Sequence, residues 1–285
     1  MVGNPWQCYF DIQQLDSDAP ILVLDQGNQW RQFRAVSPVD DELILRPLQS
    51  FLMQRSDQQQ SITFKTVGRQ NDDVVRHEAA ARQNSPAQYR RAQKRANRIR
   101  YEAMLSLQTE QGDSLVAHTR LVQNPAATAA YDRGLDAPYI TMDESLTALY
   151  SMSGSLRYSI NEQPAFDADV PLGMYLAEAG TYTLQLTTTG SDPVWLTDHE
   201  TGAVVDATVP YSFVVGDPGT LNRRFTLQIG DGITSVSSVP MPSTSASATL
   251  YDLQGRRIST PAKGLYIQRS AEGRLQGKNG KIVIK

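Results

Sequence analysis

TYTLQLT (residues 181–187) and RFTLQI (residues 224–229) decide the fold, because each stretch alternates apolar and polar side chains. A period of two places successive side chains on opposite faces, so each stretch is predicted to be a half-buried β-strand. Turn-forming residues punctuate the chain between residues 138 and 230. We therefore predict an antiparallel β-sandwich over residues 138–230.

A second group of short strands is predicted nearer the start of the chain. The candidates are residues 7–12, 21–24, 30–36, 43–45, 51–54 and 62–65, separated by turn-rich segments. Two further candidates, residues 100–107 and 114–122, flank Gln111-Gly112-Asp113. Frequent short strands with such punctuation are typical of a sandwich, and residues 1–135 are assigned to this first module.

One helix is predicted inside the first module, within a basic insertion near residues 74–100. Ser85 and Pro86 form a plausible helix start. An apolar stripe would follow, made of Tyr89, Ala92, Ala96 and Ile99. The stretch also carries seven cations without an acidic residue between them: Arg82, Arg90, Arg91, Lys94, Arg95, Arg98 and Arg100.

These cations raise the alternative of nucleic-acid or anionic-polysaccharide binding. Single-strand binders use several aromatic stacking platforms, whereas Tyr89 is the only aromatic residue in the stretch. An exposed helix between strands is therefore the favoured interpretation, and no nucleic-acid partner is expected.

The predicted fold class is mainly β. It comprises two antiparallel β-sandwich modules of jelly-roll or immunoglobulin-like type, one short inserted helix and a small C-terminal β-meander. Residues 231–247 are rich in Ser and Pro and are predicted to be a linker, and residues 248–285 form the meander. Asn279-Gly280 is a hairpin signal within it.

Composition excludes several classes of protein. The formal net charge of −3 provides no global attraction to nucleic acid or to anionic membranes. No apolar run reaches the length of a transmembrane helix. The single cysteine, Cys8, excludes an internal disulfide framework.

The C-terminal meander resembles the sorting domain of type IX secretion substrates. The resemblance rests on three ordered motifs at residues 251–257 (YDLQGRR), 263–267 (KGLYI) and 280–285 (GKIVIK). Residues 268–277 lengthen the usually tight link between the last two strands. The resemblance implies that the type IX machinery recognises the tail and that a sortase-like peptidase cuts it. The recognition residues that it implies are Gly255, Arg256, Arg257, Gly264 and Tyr266.

The rest of the chain resembles the region that commonly precedes this sorting domain. Motifs at residues 2–6, 8–11 and 48–51 are similar to its first β-domain, and those at 158–162, 178–183, 198–202 and 222–227 to its second. The resemblance implies a secreted or outer-membrane-surface location. Met1 to Pro5 contain no export signal, so the chain is expected to be a fragment of a longer secreted protein.

No catalytic or metal motif is found. His77, His118 and His199 lack metal-ligand spacing, and the acidic runs at residues 40–42, 72–73 and 167–169 match no calcium-loop spacing. No catalytic residue, metal or cofactor is expected. Trp6, Trp30 and Trp195 are candidate glycan contacts, although aromatic residues in strands more often belong to a core.

Two functions remain open from the sequence. The first is a non-catalytic C-terminal portion of a secreted or surface-attached bacterial protein, with β-sandwich spacer or adhesion modules before a type IX sorting signal. The alternative is a carbohydrate-binding accessory module of an upstream polysaccharide-acting enzyme, with a polysaccharide as its partner. Trp and Tyr side chains that share one exposed face would favour the alternative.

Overall fold

A computed structural model describes residues 1–24, 32–54, 61–65, 69–70, 86–110, 112–230, 249–251, 257–258, 264–269 and 281–284. Within these residues the protein is mainly β, as predicted, with one α-helix. The chain divides into two compact units, Met1–Gly232 and Ile233–Lys285.

The described residues of the first unit form eighteen strands, one 3₁₀ turn and helix α1. The elements before the helix are β1 (Val2–Gly3), β2 (Tyr9–Asp11), the 3₁₀ turn (Ile12–Gln14), β3 (Ile21–Leu24), β4 (Phe33–Val36), β5 (Ile44–Leu45), β6 (Ser50–Met53) and β7 (Arg69–Gln70). Helix α1 spans Pro86–Ala96. After it come β8 (Ile99–Thr109), β9 (Gly112–Gln123), β10 (Ala137–Pro138), β11 (Ala148–Ser153), β12 (Leu156–Gln163), β13 (Val170–Leu176), β14 (Gly180–Thr188), β15 (Val194–Asp198), β16 (Ala203–Asp206), β17 (Tyr211–Val215) and β18 (Gly219–Ile229).

Two small sheets at the start of the chain share one core. Their strand orders are β1-β6-β3-β4 and β5-β2-β7. Phe10 and Leu45 from the three-stranded sheet pack with Ile21, Val23 and Phe51 from the four-stranded sheet. Five of the six short strands predicted before residue 65 occur close to their expected positions. The sixth, at residues 62–65, is wrong, since Phe64 forms only an isolated bridge with Leu15.

Strand β3 is apolar on both faces because both faces are covered. Ile21 and Val23 face the core between the two small sheets. Leu22, which points the other way, packs with Val122 and Ile160 of β9 and β12. The continuous run ILVL therefore joins the N-terminal sheets to the large sheet.

The large sheet contains eleven strands in the order β16-β15-β18-β13-β11-β12-β9-β8-β14-β17, and β10 pairs beside β12. Its neighbours are antiparallel except β9 and β12, which run parallel. The two decisive stretches lie in β14 and β18, where Tyr182, Leu184 and Leu186 are buried, as are Phe225 and Leu227. The predicted half-buried strands are confirmed.

The large sheet folds back on itself, so its two halves enclose one core. Ala207, just after β16, accepts a hydrogen bond from Leu186 of β14 and donates one to Val194 of β15, both at 2.8 Å. The ring of Phe213 in β17 lies 4.7 Å from that of Phe225 in β18. Strands from opposite ends of the order therefore pack on each other, as in a sandwich.

Strands β8 and β9 correct the proposed boundary at residues 135–138. The sequence assigned both to the first module, whereas β8 pairs with β14 and β9 pairs with β12 in the large sheet. Alternation in a strand reports which face is buried but not which strand lies beside it. The first module therefore contains only the two small sheets.

The second unit is a four-stranded antiparallel sheet in the order β20-β19-β21-β22. Its strands are β19 (Thr249–Tyr251), β20 (Arg257–Ile258), β21 (Gly264–Arg269) and β22 (Lys281–Ile284). Tyr251 pairs with Arg257 on one side and with Ile267 on the other. The predicted C-terminal β-module is present, but it is not a simple meander, because β21 pairs with β19 and not with β20. Asn279-Gly280 lies outside the described residues.

Candidate functional site

The sorting residues predicted from the sequence fall in the second unit. Arg257 lies in β20, and Gly264 and Tyr266 lie in β21. In the register, Gly264 is opposite Ile284 and Tyr266 is opposite Ile282. Gly255 and Arg256 lie outside the described residues. The described tail residues are thus held by backbone pairing in one sheet.

The tryptophans predicted as glycan contacts occupy different parts of the first unit. Trp6 is half-buried against the core of the two small sheets. Trp195 is half-buried in β15, opposite Asp206 and Gln228 in the neighbouring strands. Trp30 lies outside the described residues. The structure does not bring Trp6 and Trp195 into one aromatic platform.

Helix α1 is attached to the N-terminal sheets through its cations. Arg91, which is 5% exposed, donates through Nε to Asp18 Oδ1 at 2.9 Å. Its Nη2 donates to the carbonyl oxygens of Leu15 and Ser17, both at 3.0 Å. Lys94 pairs with the other oxygen of Asp18. The lowered pKa of Asp18 follows, since these two cations outweigh the effect of its burial.

The predicted apolar stripe on α1 is wrong. Ala92 and Ala96 are exposed, whereas Arg91, Arg95 and Arg98 face the protein. Arg95 donates to the carbonyl oxygen of Val39 at 2.7 and 2.9 Å. Arg91 and Arg95 are four residues apart and so lie on one face of the helix, while Arg98 lies in the segment between α1 and β8. Their acceptors are far away in sequence, so the local pattern did not reveal this contact.

Arg98 contacts a buried group of carboxylates at the junction between the small sheets and the large sheet. Its Nη2 lies 3.1 Å from Asp40 Oδ2, within ion-pair distance although not aligned as a hydrogen bond, and it also pairs with Glu162 Oε1. Asn124 donates to Glu162 Oε2 at 2.7 Å. The backbone N–H of Glu162 donates to Asp136 at 2.7 Å. We call Arg98, Asp40, Asn124, Asp136 and Glu162 the junction cluster.

The junction cluster holds three carboxyl groups and one guanidinium, and burial raises the pKa of two of these carboxyl groups, Glu162 and Asp136. Burial raises the pKa of Glu162 to about 7, and the charge of Arg98 offsets only part of this effect. Burial likewise raises the pKa of Asp136 to about 6, despite hydrogen bonds from the backbone of Glu162 and Asp132. The cluster is therefore sensitive to pH near neutrality.

A second ion pair lies beside the cluster. Arg120 of β9 donates to both oxygens of Asp41, at 2.8 and 2.9 Å. Burial opposes the charge of Asp41, but hydrogen bonds and positive charge, chiefly from Arg120, outweigh it and lower its pKa. Asp40 and Asp41, in the acidic run considered for calcium, thus face arginines. Within the described residues no group of three or more His, Cys, Asp or Glu could hold a metal ion.

Two motifs that are distant in sequence meet around Asp198. Its carboxylate accepts hydrogen bonds from Arg224 at 3.0 and 3.2 Å and from the Tyr211 hydroxyl at 2.9 Å. The Arg224 guanidinium also lies 4.9 Å from the Phe213 ring centre. Together these contacts outweigh burial and lower the pKa of Asp198. Through these contacts, Asp198 of β15 joins Tyr211 of β17 and Arg224 of β18, so the cluster holds the three strands together.

Neither described histidine forms a catalytic arrangement. Burial lowers the pKa of His118 in β9. His199 Nε2 lies 2.8 Å from the Thr226 hydroxyl. His77 lies outside the described residues.

An aromatic cleft of about 260 Å³ opens on the large sheet, and the sequence did not reveal it. Its walls come from β11, β12, β13 and β18 and from the segment before β11. The aromatic and charged residues of its lining are Tyr139, Glu144, Tyr150, Arg157 and Tyr175. They lie on separate elements without a common motif, so only the fold brings them together. We call this feature the tyrosine cleft.

A family model described as "Domain of unknown function (DUF8693)" matches residues 23–229, which is most of the chain. The chain belongs to this family. The DUF8693 match begins in β3 and ends at the last residue of β18. It therefore includes the large sheet and the tyrosine cleft, whereas the four-stranded tail lies outside it.

The other comparisons add no relative. No curated protein and no solved structure matches the chain. Among the described residues, no helix is both long enough and apolar enough to cross a membrane.

Proposed function

We propose that the chain is a non-catalytic C-terminal portion of a secreted or surface-attached bacterial protein. In this proposal the DUF8693 region acts as a β-sandwich spacer or adhesion scaffold, and residues 248–285 are a type IX sorting signal. The type IX machinery and a sortase-like peptidase are the partners of the tail. The location is extracellular or on the outer-membrane surface.

The observation that carries the proposal is the separate four-stranded unit formed by the tail. Residues 233–285 cluster apart from residues 1–232, and the described residues of the three motifs lie on paired strands within that unit. A sorting module has to be recognised without unfolding the cargo. A compact sheet behind a Ser- and Pro-rich segment supports such a role.

The scaffold role is supported by the way the first unit is joined internally. Helix α1 and the segment around Asp40 connect the small sheets to the large one through several buried charged contacts. Such contacts favour one relative arrangement of the sheets, because any other would leave buried charges unpaired.

The test is to express the chain behind a periplasmic export signal in a type IX host and in the same host without the type IX machinery. The proposal predicts surface or medium localisation only in the competent host. An Arg257→Ala/Tyr266→Ala variant should remain in the periplasm, whereas an Arg223→Ala control should be exported normally. Equal localisation of the wild-type chain in both hosts contradicts the proposal.

A further inference from the structure

The tyrosine cleft has a rigid floor. The Tyr150 ring is 1% exposed, and its hydroxyl donates to Asn222 Oδ1 at 2.8 Å. Gly173 in β13 is directly opposite Tyr150, and a Cβ at this position would lie 2.2 Å from the Tyr150 ring. Glycine in a strand interior is unfavourable unless a close approach requires it. The strand thus accommodates one fixed orientation of this ring.

The fixed ring in turn positions a cation at the opening of the cleft. The Arg157 guanidinium lies 4.9 Å from the centre of the Tyr150 ring, and the Arg157 side chain is exposed. Stacking of this kind restricts a side chain that would otherwise sample many rotamers. Within the described residues, the guanidinium has no hydrogen-bond or ion-pair acceptor. Its N–H groups are therefore available to a ligand.

An acceptor group lines the same cleft. Glu144 is exposed, and its carboxylate has no donor among the described residues. Tyr139 and Tyr175, both half-buried, supply aromatic surface between these polar groups. The Tyr139 ring is held 5.1 Å from that of Tyr150. The cleft therefore offers fixed donors, an acceptor and aromatic surface to one ligand.

The cleft carries one cationic side chain, Arg157, and one anionic side chain, Glu144, and this combination favours a neutral ligand. An anionic ligand would be repelled by Glu144, and a cationic ligand would be repelled by Arg157. Neutral hydroxyl groups, in contrast, can donate hydrogen bonds to Glu144 and accept them from Arg157. The apolar face of a sugar ring fits beside aromatic surface, and its hydroxyl groups fit beside charged side chains. A saccharide satisfies all the groups of the cleft.

The ligand has room to extend beyond the cleft. Tyr139 also lines a neighbouring cavity of about 360 Å³, together with Gln32, Arg34 and His118. A chain of linked sugar rings could pass from one cavity to the other across the Tyr139 side chain. The tyrosine cleft is slightly smaller than a typical ligand pocket, and the neighbouring cavity is within the usual range of roughly 300–1,000 Å³.

We propose that the tyrosine cleft is a binding site for a neutral oligosaccharide, with Tyr139, Glu144, Arg157 and Tyr175 as its contacts. This inference rests on the adhesion role proposed above and gives that role a ligand class. It differs from the tryptophan platform considered from the sequence, because none of its contacts is a tryptophan.

The test uses the purified full chain on a glycan array that carries neutral, sialylated and sulfated oligosaccharides, followed by calorimetry with the best neutral glycan. Arg157→Ala and Tyr139→Ala should each weaken binding at least about tenfold, because each removes a direct contact. Arg223→Ala, at an exposed arginine of β18, should leave binding unchanged. Glu144→Gln keeps the size of the side chain, removes its charge and should also weaken binding.

Thermal unfolding of each variant separates lost contacts from lost folding. Weaker binding by variants that unfold at the wild-type temperature supports the proposal. Binding restricted to anionic glycans, no binding to any glycan, or neutral-glycan binding that both alanine substitutions leave intact overturns it. Since this assay involves no secretion, glycan binding can be absent while the sorting proposal holds. Likewise, glycan binding can be present when the export test contradicts the sorting proposal.

Discussion

Replacing Arg98 by methionine should destabilise the first unit more than any comparable change in surface charge. The substitution removes the guanidinium that faces Asp40 and Glu162, whose side chains are 0% and 2% exposed. Removing one partner of a buried ion pair costs about 3–5 kcal/mol, because the remaining charge stays buried and unpaired. Methionine retains most of the apolar stem, so this cost reflects charge and not lost packing.

The assay is equilibrium urea unfolding at pH 8, followed by tryptophan fluorescence. Lys94→Met is the matched control, since the Lys94 side chain is 57% exposed and its pair with Asp18 should contribute less than about 1 kcal/mol. The triple variant Arg98→Met/Asp40→Asn/Glu162→Gln should recover much of the loss, because no buried charge is left unpaired. If Arg98→Met costs no more than the Lys94 control, the junction cluster does not stabilise the fold as argued.

Three further predictions concern other buried contacts. The pKa of Glu162 is raised from 4.5 to about 7, so its contribution to stability is present below pH 4.5 and is lost as the pH rises through 7, by roughly 3 kcal/mol. Glu162→Gln should flatten the corresponding part of the pH–stability curve, and an unchanged slope contradicts the assignment. Gly173→Ala should cost about 1–3 kcal/mol in urea unfolding, because the added Cβ would lie 2.2 Å from the Tyr150 ring and 2.7 Å from Asn222 Oδ1. The cost should fall in a Tyr150→Ala background and fall further when Asn222→Ala is added; simple additivity would show that the close contacts do not matter. Asp198→Ala should cost about 1–3 kcal/mol, because it removes the buried acceptor of Arg224 and leaves this arginine only its pair with exposed Glu200. The double variant with Arg224→Met should be less destabilised than the single one, and thermal unfolding checks the order of the two.

Sequence patterns predicted the strands well where burial alone decides them. Leu184 and Phe225 are buried at the positions that alternation indicated, because a period of two specifies a face. Strands β8 and β9 were assigned to the first module, whereas they pair with β14 and β12 of the large sheet, which are more than thirty positions away. Alternation contains no information about such distant partners.

The polar parts of the structure were less predictable. The apolar stripe of α1 was expected from local periodicity, yet the helix docks through Arg91 and Arg95, and Arg98 follows it in the next segment. The acceptors of all three arginines lie on distant segments. The tyrosine cleft was missed for the same reason, because Tyr139 and Arg157 come together only after the sheet forms. Gly173 in the middle of β13 was the one local hint of a close approach.

The most direct test of the proposed function is transfer of the tail to an unrelated protein. Residues 233–285 are fused to a periplasmic reporter in a type IX host, and the reporter is followed by cell fractionation and by mass spectrometry of its C-terminus. The account predicts a reporter on the surface or in the medium with the tail removed. A reporter that stays in the periplasm with the tail intact contradicts it.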